Sequence, residues 1–129
     1  MYLQKFEVKN KTALVTGAGK GIGKASAIAL AEAGADLIIL SRTVDDLNKV
    51  KKKIIKLKRK CTVLKCDISN YEEVKSVFKK ISKLDILVNN AGTNRPDHFT
   101  KITKEDMDYV VDLNMKAAFH VAQMAAKVM

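Results

Sequence analysis

The chain has 129 residues, 47% hydrophobic and 29% charged, with one Pro and six Gly, which leaves room for one domain with a real core and excludes disordered, collagen-like and linker sequence. Its net charge of +10 comes mainly from lysine, and the densest basic run, residues 49–60, contains no aromatic side chain to stack on bases, which argues against a dedicated nucleic-acid role. The longest apolar runs, such as residues 25–30 and 37–40, are far short of a bilayer span, and the opening MYLQKFEVKN lacks the apolar core and cleavage site of a secretory signal, so a cytoplasmic location without membrane partners is expected.

Four apolar runs predict strands at residues 12–16, 36–40, 61–65 and 85–89, and their near-continuous hydrophobicity predicts cover on both faces. They start about 24 residues apart, enough for a helix and two turns each time. The pattern predicts a Rossmann-like doubly wound α/β fold with a parallel sheet and about four βα units. The first helix starts inside a glycine segment, runs through Ala25, Ile28 and Ala29, and stops at Gly34. The second opens with Thr43 and Asp46, the third with Ser69 and Glu72, and the last with Thr103 and Asp106, each at capping-box spacing. Leu47, Val50, Ile54 and Leu57 make one face of the second helix, so the lysines of that run cover its solvated side. Val74, Val77, Phe78 and Ile81 do the same for the third.

The last helix runs from Lys104 to Met129 without a terminating residue. Met107, Val110, Val111, Ala118, Val121, Ala122 and Ala125 form its predicted apolar stripe, widened by Leu113, Phe119 and Met124. A stripe that wide wants more partner surface than one sheet face offers. We therefore expect a nucleotide-binding domain over residues 1–129 that is incomplete on its C-terminal side.

Cys61 and Cys66 fall five positions apart on and beside one strand, facing opposite sides and roughly 17 Å apart. A mutual disulfide is not expected, and with no His nearby they make a poor metal site. Buried, reduced thiols are the expectation.

Residues 16–23 read T-G-A-G-K-G-I-G, directly after the first strand and at the start of a helix. Gly17 allows a sharp turn, Gly21 lets a diphosphate approach the backbone, and Gly23 lets the helix pack closely, while Gly19, Lys20 and Ile22 complete the loop. Free N–H groups at the helix start then face the phosphates. The spacing is not G-x-G-x-x-G, since Ile22 and Lys24 stand where that pattern needs Gly, and no P-loop Gly-Lys-Ser/Thr follows.

T-G-x-x-x-G-x-G resembles the classical short-chain dehydrogenase/reductase family, closest in flavour to 3-oxoacyl carrier-protein reductases and sugar or polyol dehydrogenases. Three further segments agree in type and order. Asp67 and Ile68, in C-D-I after the third strand, stand where the resemblance implies an adenine site. Asn90, Ala91 and Gly92 complete an N-N-A-G after the fourth strand, and Asn114 in D-L-N-M-K matches the family's catalytic-helix asparagine. Independently of the resemblance, Gly17, Ser41, Asp67 and Asn90 each fall at the carboxyl end of a strand, where open α/β sheets bind ligands. Asn114 sits among apolar residues on the last helix, which predicts a buried amide with fixed hydrogen bonds.

The cofactor expected is a dinucleotide, NADP(H) in preference to NAD(H). Asp36 lies at the start of the second strand, the wrong end to hold a ribose diol. The right end carries Ser41 and Arg42, and Lys20 stands in the glycine loop; two cations and a hydroxyl suit a 2′-phosphate. The resemblance implies hydride transfer between a small carbonyl or alcohol substrate and nicotinamide, with a Ser and a Y-x-x-x-K pair as proton relay. The one Y-x-x-x-K here, Tyr71 to Lys75, falls on the first turn of the third helix and reads as surface helix. His98, in the loop 93–101, reads as a solvated loop residue. The expected protein is thus an oxidoreductase lacking its catalytic Tyr and Lys, inactive alone, the alternative being a non-catalytic dinucleotide-binding or interaction module. Self-association is expected through the last helix or through an exposed edge of the fourth strand.

Overall fold

A computed structural model describes residues 4–129, so the opening stretch read for a signal segment lies partly outside the described residues. In chain order the elements are β1 (Thr12–Thr16), α1 (Gly21–Glu32), β2 (Asp36–Ser41), α2 (Val44–Lys56), β3 (Cys61–Lys65), α3 (Tyr71–Phe78), β4 (Ile86–Val88) and α4 (Lys104–Val111). A π-helical segment, Asp112–Ala117, joins α4 without a break to α5 (Ala118–Val128). The four strands form one parallel sheet in the order β3-β2-β1-β4, with Thr12 opposite Asp36, Ala13 opposite Ile86 and Leu37 opposite Cys61. Right-handed crossovers account for the layering: α1 and α2 cover one face, α3 and α5 the other.

Alternate residues of the central strands feed the two cores. Ala13, Val15, Leu37 and Ile39 meet Ala27, Ala31, Leu47, Val50 and Ile54 on the first face. Leu14, Ile38 and Leu40 meet Val74, Val77, Phe78 and Val121 on the second. Fully burying each of Leu47, Val50 and Ile54 contributes on the order of 1.5–3 kcal/mol. The small residues of α1 let that helix sit close to β1. Gly34, at φ +104, turns the chain out of α1 and into β2, the conformation its predicted stop position requires.

Several expectations need correction. Only β1 and β2 are covered on both faces; β3 and β4 are the two sheet edges and are partly exposed. β4 shortens to three residues because the Asp85 side chain accepts the Thr12 N–H at 2.8 Å, and the Asn90 N–H already turns back to the Val88 carbonyl. Leu57 caps α2 and is exposed rather than part of its buried face. Asn70, not Ser69, caps α3, accepting the N–H groups of Glu72 and Glu73, while Ser69 is drawn off to the Asp67 carboxylate at 2.7 Å. Thr43 makes no side-chain cap to α2, whereas Thr103 caps α4 as expected.

The last helix differs most. Its buried residues are Leu113, Ala117, Val121 and Ala125, whereas Met107, Phe119 and Ala122 are exposed. The π segment is the cause. One extra residue in a helical turn rotates everything beyond it by about 100°, so a stripe drawn at uniform 3.6-residue spacing cannot stay on the core.

Candidate functional site

A crevice of about 500 Å³ opens at the carboxyl ends of the strands. Its floor is the turn between β1 and α1, where Gly17 and Gly21 adopt φ +64 and +57. The helix starts at Gly21 after an extended Lys20 whose side chain makes no cap, so its first-turn N–H groups have no side-chain acceptor. On the side of Gly21 where a Cβ would stand, nothing lies within 4 Å. Free amides, open space and a helix N-terminus together make an anion cradle.

Gly17, Gly19, Lys20, Gly21 and Ile22 line this crevice from the turn, Ser41 and Arg42 from the end of β2, Asp67 and Ile68 after β3, and Asn90, Ala91 and Gly92 after β4. Gly23 does not line it: a Cβ there would collide with the Gly17 carbonyl and stand 2.5 Å from Asn90 Nδ2, so this glycine lets helix and turn touch. Asn90 donates its amide to the carbonyls of Thr16 at 3.0 Å and Gly17 at 3.4 Å, holding the turn from behind. Asp36, by contrast, pairs with Arg59 at 2.7 Å at the other end of the sheet.

Asn114 requires a correction. It is exposed rather than buried, and it lies outside the crevice. Its amide still makes two fixed bonds, accepting the Thr93 N–H at 2.8 Å and donating to the Thr93 carbonyl at 2.7 Å. The π segment presents its side chain to the strand-end loop. That loop is further tied to α4 by Arg95, which pairs with Asp106 at 2.7 Å and sits 4.0 Å over the Tyr109 ring. The Arg95 guanidinium holds the Asp106 carboxyl below its ordinary range.

Sequence reasoning missed several residues. Leu40, Thr43, Asp46, Cys66 and Leu113 also line the crevice. Thr16 is fully buried, and its hydroxyl accepts the N–H groups of Asn90 at 3.0 Å and Ala91 at 2.9 Å, joining β1 to the segment after β4. A hydroxyl inside an otherwise apolar strand was the available signal. Asn89 donates to the Ala118 carbonyl at 2.7 Å and so fastens the same segment to α5.

Other candidates are not brought together. Tyr71 and Lys75 lie on α3, where Tyr71 packs edge-on against His120 at 4.9 Å and Lys75 pairs with Glu72 at 3.0 Å. His98 Nδ1 meets Thr100 Oγ1 at 2.9 Å in an exposed loop. Cys61 and Cys66 are free and sit in opposite cores, and burial pushes both thiols up to about 11. Among the described residues no group of His, Cys, Asp and Glu could hold a metal ion, and no helix is long and apolar enough to cross a membrane.

This sheet order, with a glycine turn opening on the strand-end crevice, defines a Rossmann-like α/β protein of the nucleotide-binding type. The family model for short chain dehydrogenases matches residues 11–129. L-xylulose reductase of Mus musculus is 35% identical over 117 residues, covering 91% of this chain and 46% of that protein. A hydroxysteroid dehydrogenase structure from Escherichia coli superposes with a TM-score of 0.90 at 35% identity, covering 98% of this chain and 55% of that one. A structure from Agrobacterium tumefaciens, described as a 2-deoxy-D-gluconate 3-dehydrogenase with bound NADP, gives 0.86 at 35% identity, covering 95% and 48%. The chain belongs to the short-chain dehydrogenase family, and it spans about half the length of the curated relatives it matches.

Proposed function

We propose that residues 1–129 form the cofactor-binding part of an NADP(H)-dependent oxidoreductase that interconverts a small carbonyl compound and its alcohol in the cytoplasm. The observation that carries this reading is the uncapped start of α1 at Gly21, open to the crevice and flanked there by Lys20 and Arg42. The residues present fit such a cofactor: backbone amides at 17–23 bind its diphosphate, Asp67 and Ile68 border its adenine, and Lys20, Ser41 and Arg42 bind its 2′-phosphate. Bound there, the nicotinamide supplies or accepts hydride. Asn90 keeps the phosphate turn in shape. Asn114 acts as a positioning residue, fixing the backbone at Thr93 through its two amide bonds.

Within these residues, Tyr71 and Lys75 are the sole Tyr and Lys at relay spacing, and they lie on α3 away from the crevice. These 129 residues therefore bind the dinucleotide without transferring hydride. The same observation favours a second reading, a non-catalytic dinucleotide-binding module. Downstream coding sequence with a Ser and a second Y-x-x-x-K would select the enzyme, and a stop codon after Met129 the module.

The test of cofactor choice is fluorescence titration with NADPH and NADH. Wild type is expected to bind NADPH more tightly, and Arg42→Ala to lower that preference by about tenfold or more, as charge-assisted bonds of this kind contribute roughly 1.5–3 kcal/mol. An unchanged ratio would refute the assignment of Arg42.

A further inference from the structure

The crevice has an acidic member whose place is not explained by helix capping. Asp46 stands three residues after Thr43, the spacing of a capping box, yet no such box forms: the Thr43 N–H donates to Ser41 Oγ at 3.3 Å and the Thr43 side chain makes no cap. Asp46 instead lines the crevice beside Gly19, Lys20, Ser41 and Arg42. Its Cβ would lie 3.1 Å from a Cβ on Gly19, with Ser41 Oγ at 3.4 Å, so the first turn of α2 abuts the phosphate turn and Gly19 is the small residue between them. Its ion-pair partner is Lys49, at 3.5 Å and mostly exposed, rather than Lys20 or Arg42. A carboxylate therefore stands at the basic end of the crevice without cancelling either cation there.

We propose that Asp46 is a cofactor-specificity residue that opposes the 2′-phosphate of NADP(H) and so limits the preference set by Lys20 and Arg42, leaving NAD(H) able to compete. This rests on the cofactor reading above. The physical basis is sign and selectivity. A 2′-phosphate brings close to two negative charges to this end of the crevice, whereas the ribose hydroxyl of NAD(H) brings none. Repulsion from Asp46 therefore acts on one cofactor and spares the other. Partial exposure of the side chain and its contact with Lys49 keep the effect moderate.

The experiment is a titration of wild type, Asp46→Asn and Asp46→Glu with NADPH and with NADH, at low and high salt. Asp46→Asn is expected to bind NADPH about three- to tenfold more tightly with NADH affinity nearly unchanged, and the gain is expected to shrink in high salt. Asp46→Glu, which keeps the charge, is expected to retain the wild-type ratio. Unchanged or weaker NADPH binding by Asp46→Asn, with NADH still bound, would overturn this inference alone. Failure of the wild-type chain to bind either dinucleotide would overturn the cofactor reading and this inference with it.

Discussion

Gly23 lies directly behind Gly17, so close that a Cβ on the one would run into the carbonyl oxygen of the other. That contact seats the first turn of α1 on the end of β1 and turns its free amides toward the crevice. Asn90 Nδ2, 2.5 Å from the same Cβ position, closes the remaining space. Gly23→Ala must therefore displace backbone, not a flexible side chain. It is expected to cost about 2–3 kcal/mol of stability by chemical denaturation and to abolish dinucleotide binding. Gly21→Ala meets no neighbour but keeps a left-handed backbone, and is expected to cost only about 1–2 kcal/mol.

Thr16 bridges two segments 74 positions apart in sequence. Thr16→Val keeps the shape but leaves the N–H groups of Asn90 and Ala91 without their acceptor. Each group so stranded costs roughly 1–3 kcal/mol, so a loss of at least about 2 kcal/mol in urea unfolding is expected. A loss no larger than that of an exposed Thr→Val change would show that water replaces the hydroxyl.

The two thiols set a pH limit. Their folded pKa values, raised by burial to about 11, exceed the ordinary value of 9.0, so the folded state keeps its protons where the unfolded chain has lost them. Stability from this source is complete below pH 9 and declines as pH rises from 9 toward 11. Thiol-reagent kinetics at pH 8 are expected to show slow modification of native protein and rapid modification in denaturant. Fast labelling of both native cysteines would contradict their burial.

β4 pairs with β1 on one side alone and is the sheet edge, and Met107, Met115 and Phe119 are exposed along the α4–α5 run. An unpaired apolar edge invites pairing with another chain. Expressed alone, these 129 residues are expected to self-associate in sedimentation velocity, and a polar substitution such as Phe119→Lys is expected to shift the distribution toward monomer. A monodisperse wild-type monomer would contradict this expectation.

Much of the architecture was legible in the sequence because local signals agreed with tertiary demands. The runs at β1 and β2, Gly34 as a helix stop, and Leu47, Val50 and Ile54 as one face all needed only periodicity. Twelve of the thirteen residues expected at a cofactor also line a single crevice, because a parallel sheet brings every strand end to one side. What was not legible depended on backbone detail. A π segment leaves no mark in the hydrophobic pattern, so the phase of α5 and the exposure of Asn114 were misread. The competition between Asp67 and the helix for Ser69 moved a cap by one residue, and the same kind of competition at Ser41 left Asp46 free to line the crevice.

The central claim is that the amides of residues 17–23 hold a dinucleotide diphosphate. It is tested most directly by following backbone amide resonances of the isotopically labelled chain during titration with NADPH. The account predicts saturable shifts concentrated at Gly19, Lys20, Gly21 and Ile22, with smaller ones at Ser41 and Arg42. Saturation without movement in the glycine turn, or shifts confined to the lysines of α2, would contradict it.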